Sequence, residues 1–321
     1  MADHNFIQVL DPGVLVTIQD EGRLAYQSFG VPVSGAMDWF ALRVANRLVA
    51  NPSHAAGLEC LAGSILLECE EDVLVAGAGC GCRLVVNDEE YPLWLAVRVR
   101  GGMQFGLKPS GEAGCWGYLA IAGGIAVPPV MGSRSTFLRG KFGGLKGRAL
   151  QAGDLIPLGH PVENIHLLAG RNFSPAALPG YANHVVVRVV ESAQAANFST
   201  EDWNTFCSQE YQVSGQSDRM GYRLAGALPL SLANADVISE GMLPGIIQVP
   251  GNGQPIVMMS DCPTTGGYTK IAAVARADLP LLTQVEPGTG SVWFRKVSIP
   301  EAEVAYRQIV LGIDQFIEEE G

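Results

Sequence analysis

The residues best equipped for chemistry lie between positions 246 and 274, in the stretch IIQVPGNGQPIVMMSDCPTTGGYTKIAAV. It holds a carboxylate (Asp261), two hydroxyls (Thr264 and Thr265) and one lysine, Lys270, set in an otherwise apolar run. An ammonium grips carboxylate or phosphate oxygens, and hydroxyls orient a substrate or a water, so this set could form a polar pocket for a small anion. Gly266-Gly267 would let backbone approach a ligand closely. A structural reading stands beside it, in which Gly-Gly is only a turn and Lys270 snorkels its ammonium to solvent.

The elements that must position these groups follow from the local pattern. Two apolar runs flank Gly251-Asn252-Gly253, which reads as a β-hairpin, and residues 263–268 read as a flexible loop. Upstream, Met37, Phe40, Val44 and Leu48 share one helical face, with Ser34 or Asp38 as cap, Asn51-Pro52 as stop, and Arg43, Asn46 and Arg47 on the solvated side. Residues 65–67, 73–76, 84–86, 93–99 and 118–122 are short β-favouring runs between turn residues. Residues 130–136, VMGSRST, form a loop able to hydrogen-bond an anion. Residues 140–153, rich in glycine and basic side chains, read as a mobile or partner-facing loop, or as a solvated turn. A Pro- and Ala-rich shift at 172–180 marks a boundary, giving domains 1–171 and 181–321. Beyond it, Ser199 with Glu201 and Asp202 starts a helix, and Asp218-Arg219 lies between turn residues. Asp278-Leu279-Pro280 opens a short helix, and residues 300–320 read as an amphipathic helix with Val304, Val310, Ile313, Phe316 and Ile317 on its apolar face.

Bulk properties exclude several functions. The 321 residues are 48% hydrophobic and 17% charged, so a substantial core can form. The 39 glycines and 19 prolines, with so many short apolar runs, indicate a mostly β chain with a few helices. A net charge of −11 opposes nonspecific nucleic-acid binding, which depends on neutralising phosphates. No apolar run reaches membrane-span length, and the opening MADHNFIQVLDPG lacks a signal-peptide pattern. Seven cysteines, an odd number with no Cys-x-x-Cys, read as buried thiols in a reducing, cytoplasmic setting, with Cys262 nearest the candidate pocket. No zinc-ligand spacing appears, so no metal is expected. Gly-x-Gly-x-x-Gly, the P-loop and Gly-x-Ser-x-Gly are all absent, as is the methionine-flanked lysine that carries covalent biotin.

Five ordered stretches together carry a resemblance. They are TIQDEGR (17–23), GVPVSGAMD (30–38), AIAGGI (120–125) leading to GSRST (132–136), SDRMGYRL (217–224), and the 246–274 stretch through Lys270-Ile271-Ala272. The chain resembles the C-subunit family of bacterial 5-oxoprolinases, also called KipA-like or allophanate-hydrolase-subunit-2 proteins. It is similar as well to subdomains A and B of the carboxyltransferase domain of biotin-dependent urea carboxylase. The resemblance implies two β-barrel-like subdomains of cyclophilin-like type. It also implies a small-molecule substrate, ATP used by the complex and not necessarily bound here, and two partners, the KipI-like B subunit plus the A subunit. The assembled enzyme would open 5-oxoproline to glutamate; carboxyl transfer to urea, or nonenzymatic regulation of a kinase-inhibitor-like partner, are the alternatives. In that frame Lys270, Asp261 and Arg219 are the candidate catalytic residues. Thr264, Thr265, Gln248, Arg134, Ser133, Asp20, Arg23 and Asp38 are the candidate substrate-binding ones. For each Asp–Arg neighbour pair a fold-stabilising ion pair is the structural counterpart.

Overall fold

A computed structural model describes residues 5–160, 162–231 and 235–318. The chain divides into two compact units, one comprising Met1–Arg23, Ser34–Pro179 and Gly312–Gly321, the other Leu24–Val33 and Gly180–Leu311.

The first unit is built on two antiparallel sheets. Its strands are β1 (Phe6–Asp11), β2 (Leu15–Gln19), β3 (Gly57–Leu61), β4 (Ile65–Cys69), β5 (Val73–Gly79), β6 (Cys82–Val86), β7 (Glu89–Tyr91), β8 (Ala96–Val99), β9 (Gln104–Pro109), β10 (Trp116–Ile121) and β11 (Leu155–Pro157). One sheet runs β11-β1-β4-β9-β6-β7 and the other β2-β3-β10-β5-β8. A single apolar core joins them, with Ile7 and Leu67 contributed by the first sheet and Ile18, Leu58 and Leu119 by the second, all fully buried. In β1 and β4 alternate residues feed it, whereas β5 and β10 are buried along their whole length on both faces.

Helix α1 (Trp39–Leu48) begins where expected. The Asp38 carboxylate accepts from the Ala41 amide at 2.9 Å, satisfying one of the unpaired N–H groups of the first turn. Met37, Phe40, Val44 and Leu48 are all buried. Asn46 departs from the solvated face assigned to it: it is fully buried, donates to the Ala55 carbonyl at 2.8 Å and accepts from the Asn51 amide at 3.0 Å. Two amides that satisfy each other and the backbone can be buried at little cost. A short α2 (Ile165–Leu168) and a two-residue β12 (Asn172–Phe173) follow.

Residues 140–153 form a packed segment. Gly143 has φ +72°, and a Cβ there would lie 2.0 Å from the Ser135 carbonyl oxygen, so only glycine fits. Further along, Arg148 grips Asp154 with two parallel bonds of 2.7 Å. The Arg148 guanidinium holds the Asp154 carboxyl below the usual carboxylate range. A folded-state pKa below the unfolded one stabilises at pH values above the unfolded pKa, near 3.9, and the contribution fades as pH falls through the folded value. Asp154→Asn is therefore expected to lower thermal stability at pH 7, by about 1 kcal/mol for a partly exposed bidentate pair, and to match the wild type near pH 2. Melting curves at both pH values check this; an equal deficit at both would contradict it.

The second unit is a closed barrel. Its strands are β13 (His184–Glu191), β14 (Tyr211–Val213), β15 (Gly221–Gly226), β16 (Asp236–Gly241), β17 (Ile246–Val249), β18 (Ile256–Met258), β19 (Thr265–Val274) and β20 (Ser291–Lys296). The order is β13-β20-β14-β15-β18-β17-β19-β16, and β13 also pairs with β19, which closes seven strands and leaves β16 as an appended edge. Seven strands cannot alternate direction all the way round, so one neighbour pair must be parallel; it is β13 with β20. Helix α3 (Thr200–Ser208) starts in a reciprocal capping box between Ser199 and Asp202. Its Phe206 stacks on Phe294 of β20 with ring centroids 4.6 Å apart. The short α4 (Leu279–Thr283) carries Pro280 in its first turn, as its sequence predicts.

Helix α5 (Ile299–Gln315) ends five residues before the expected 320. Ile317 instead pairs with Phe173 as part of β21 (Ile317–Glu318), and the Phe316 ring meets the Phe173 ring edge-on at 6.4 Å. Pairing with β12 thus outcompetes one more helical turn; residues 319 and 320 lie outside the described residues. Val304, assigned to the apolar face, is 51% exposed. No helix among the described residues is long and apolar enough to cross a membrane.

Candidate functional site

The candidate residues fall into three clusters. In the first unit, the polar loop after β2 meets the 133–136 loop. The Asp20 carboxylate accepts from the hydroxyls of Ser133 at 2.6 Å and Ser135 at 2.5 Å, and from the amides of Gly22 at 2.8 Å and Arg134 at 2.5 Å. The loop expected to hold an anion therefore holds one supplied by the chain itself. The Arg134 guanidinium adds a bond from Nε to the Val127 carbonyl at 2.9 Å. Arg23, 1% exposed, donates to the Ser135 carbonyl and lies over the Phe142 ring at 4.8 Å. A buried guanidinium stacked this way braces the loop from below.

Asp38 stands apart from that hub as the cap of α1. Its amide donates to the Tyr118 hydroxyl at 2.7 Å, which donates to the fully buried Glu59 at 2.8 Å. Burial, with Glu59 and Asp38 nearby, pushes the Tyr118 phenol well above its ordinary range, so it stays protonated and acts as a donor. Sequence reasoning passed over Glu59, whose place in an otherwise apolar strand was its one signal. It also passed over the Ser34 side chain as anything but a cap. Ser34 is 4% exposed at φ +57°, and its hydroxyl has no hydrogen-bond partner among the described residues.

In the second unit, Arg219 and Asp261 form a buried bidentate pair, Nε to Oδ2 at 2.8 Å and Nη2 to Oδ1 at 3.2 Å, with side chains 8% and 7% exposed. The Asp261 amide also donates to the Arg219 carbonyl at 2.8 Å. Asp261 precedes Cys262, whose thiol is pushed up to about 12 by burial, then by the neighbouring Asp261 charge. A thiol held protonated in this way is not a nucleophile at neutral pH.

The third cluster surrounds Lys270, on the central part of β19. Lys270 is 5% exposed; its ammonium reaches Glu240 at 3.4 Å and the Tyr268 carbonyl at 3.5 Å, both long. Glu240, on the edge strand β16, is 55% exposed. Gln194 bridges the two, accepting from the Lys270 amide at 2.9 Å and donating to Glu240 at 2.7 Å. Gln248 is the cross-strand partner of Lys270, which puts both side chains on one face of the sheet. Gln248 is 8% exposed, and its side-chain oxygen has no hydrogen-bond partner among the described residues. A weakly held ammonium and an unsatisfied carbonyl acceptor thus stand side by side.

Residues 263–268 are not the flexible loop expected of them. Thr265 already opens β19 and pairs with Gly241, while the Thr264 carbonyl accepts from the Met242 amide at 2.9 Å. Gly266 serves packing there: a Cβ would come within 3.0 Å of both the Gln248 side-chain oxygen and the Met242 sulfur. Thr264 is half-buried and Thr265 exposed. Among the described residues no group of three or more His, Cys, Asp or Glu side chains is placed to hold a metal ion.

Comparison with known proteins places this geometry in context. Residues 29–296 match the carboxyltransferase domain, subdomains A and B. The chain is 38% identical to the C subunit of 5-oxoprolinase from Escherichia coli, over 92% of this chain and 93% of that protein. It is 34% identical to the Haemophilus influenzae protein of the same name, over 96% and 97% of the two lengths. The crystal structure of the K. lactis urea amidolyase superposes with a TM-score of 0.88 at 30% identity, over 98% of this chain but only 20% of that one.

Proposed function

The chain belongs to the family of carboxyltransferase domains, subdomains A and B, and from that premise we propose that it is the C subunit of an ATP-dependent 5-oxoprolinase. With the A and B subunits it would open the lactam of 5-oxoproline to glutamate. The observation that carries this reading is the length of the likeness, which runs over 93% of the E. coli protein. Likeness over nearly the whole of one subunit supports the same place in an assembly.

The Lys270 cluster supplies the chemistry the substrate calls for. 5-Oxoproline presents a carboxylate, a lactam carbonyl and one N–H. Gln248 offers an acceptor that lacks a donor, and the lactam N–H is a donor of the right kind. Lys270 offers an ammonium whose carboxylate partner is half in solvent. An exposed ion pair contributes little, so Glu240 gives way to a substrate oxygen at small cost. Attack on a lactam carbonyl builds negative charge on its oxygen, and a buried cation beside it stabilises that charge. The Asp20 hub and the Arg219–Asp261 pair then hold loops in place and do not touch the reacting atoms.

These residues offer no recognisable grip for a triphosphate. Arg219 is committed to Asp261, Arg23 is buried against Ser135 and Phe142, and no P-loop is present. ATP is therefore assigned to the assembled complex, as in the 5-oxoprolinases that the chain resembles. The seven free cysteines suit a reducing cytoplasm.

Two measurements test the proposal. Co-expressed with candidate A and B subunits, the chain should elute with both in gel filtration; separate elution would count against it. In an active complex, Gln248→Leu is expected to lower kcat/KM for 5-oxoproline by about tenfold, the worth of one buried hydrogen bond. Unchanged kcat/KM would remove Gln248 from the site.

The superposition on the urea amidolyase favours a second reading, carboxyl transfer to urea. It predicts saturable binding of free biotin that Lys270→Met weakens, and a biotin-carboxylase partner. Absence of biotin binding in the assembled complex decides against it.

A further inference from the structure

In the second unit an open cleft of about 560 Å³ lies between α3, the loop 192–198 and the last residues of β13 and β20. That volume suits a small organic molecule. The charged side chains lining it are one carboxylate and one ammonium, Glu191 and Lys296, ion-paired with each other and 46% and 49% exposed. The same ammonium sits 5.0 Å from the centroid of the Trp203 ring. The rest of the lining mixes apolar Phe198 and Ala195 with the hydroxyls of Ser192 and Thr200, the Cys207 thiol and the uncharged amide of Asn204.

The walls are fixed before any ligand arrives. The capping box of Ser199 and Asp202 holds the start of α3, and Asp202 also accepts from the Ser231 amide at 2.7 Å. The Ser192 hydroxyl donates to the Lys270 carbonyl, and Gln194 accepts from the Lys270 amide at 2.9 Å. A preformed cleft loses little entropy on binding.

We propose that this cleft is a second small-molecule site, which takes a free α-amino acid with an apolar side chain. The argument is charge balance. A ligand with one net charge would pair with one member of the Glu191–Lys296 pair and leave the other to solvent. A zwitterion replaces the pair with two new ones, carboxylate on Lys296 and ammonium on Glu191. An exposed pair of this kind exchanges partners readily. The ligand side chain then lies against Trp203 and Phe198, which reward apolar surface. Glutamate and other amino acids with charged side chains are disfavoured, because the lining offers no third charge. The cleft adjoins the Lys270 cluster through the loop that carries Ser192 and Gln194, but its charged pair is Glu191 and Lys296, and its ligand is not the substrate proposed above.

The test uses the isolated full chain, so its outcome is independent of any 5-oxoprolinase activity. L-Leucine and L-phenylalanine are titrated by calorimetry and by ligand-observed NMR, alongside N-acetyl-L-leucine and L-leucinamide, each of which lacks one of the two charges. Saturable binding of the two amino acids is expected. The two charge-deficient analogues should bind at least about tenfold more weakly, as analogues missing a paired polar group do. Lys296→Met and Glu191→Gln, both at half-exposed positions, should each weaken binding by about tenfold without changing the circular-dichroism spectrum. Three results would overturn the proposal: no saturable binding of either amino acid up to about 10 mM, weaker than which a cleft of this kind is not a site; analogues that bind as well as leucine; or binding untouched by both substitutions.

Discussion

Asp261→Ala is expected to cost about 3–5 kcal/mol of folding stability, because it removes the carboxylate that grips the buried Arg219 guanidinium bidentately. Both side chains of the pair are over nine-tenths buried and meet bidentately, so two charge-assisted hydrogen bonds out of bulk water are lost at once. Against a typical domain stability of about 5–15 kcal/mol, that is a large share. The double variant Arg219→Met, Asp261→Leu should recover most of the loss, since the desolvation cost of both charges disappears with them. Urea denaturation of the three proteins measures this directly. An Asp261→Ala chain as stable as the wild type would show that the pair does not brace the barrel. A double variant that folds well but abolishes activity in the complex would move Arg219 and Asp261 into the reaction itself.

Lys270→Met is expected to act on turnover instead. Methionine keeps much of the apolar stem that packs in the sheet, and the backbone bonds of Lys270 to Gln194 and Ser192 remain. What disappears is the ammonium, whose bonds within the chain are long at 3.4 and 3.5 Å and contribute little to folding. If that ammonium faces the developing oxyanion, its loss should reduce kcat for 5-oxoproline about 10²–10³-fold, with a melting temperature close to the wild type. Reduced activity that merely follows reduced stability would assign Lys270 to the fold. Wild-type turnover would mean that the chemistry lies elsewhere in the complex.

The contrast between these two residues shows what the sequence made legible. Asp38 and Ser199 were readable as helix caps because a cap acts over three residues. The 246–258 hairpin was readable because its turn glycines and flanking runs are contiguous. Contacts across long separations were not. Ser133 and Ser135 reach Asp20 over 113 and 115 residues, and an anion-binding loop looks the same in sequence whether its anion is internal or external. The Glu240–Gln194–Lys270 cluster depends on β16 lying beside β19 and on the loop after β13 crossing Lys270, neither of which is a local pattern. Gly266-Gly267 misled for a physical reason: glycine marks a turn where the backbone needs it, but here Gly266 makes room for Gln248 and Met242 inside a strand. The barrel class followed from the family resemblance, whereas its closure by one parallel pair became visible only in the strand order.

The most direct measurement is glutamate formation from 5-oxoproline and ATP by purified chains, alone and mixed. The account predicts none from this chain by itself, none from the A and B subunits without it, and turnover when all three are combined. A verified, intact assembly of all three that forms no glutamate from 5-oxoproline would contradict it.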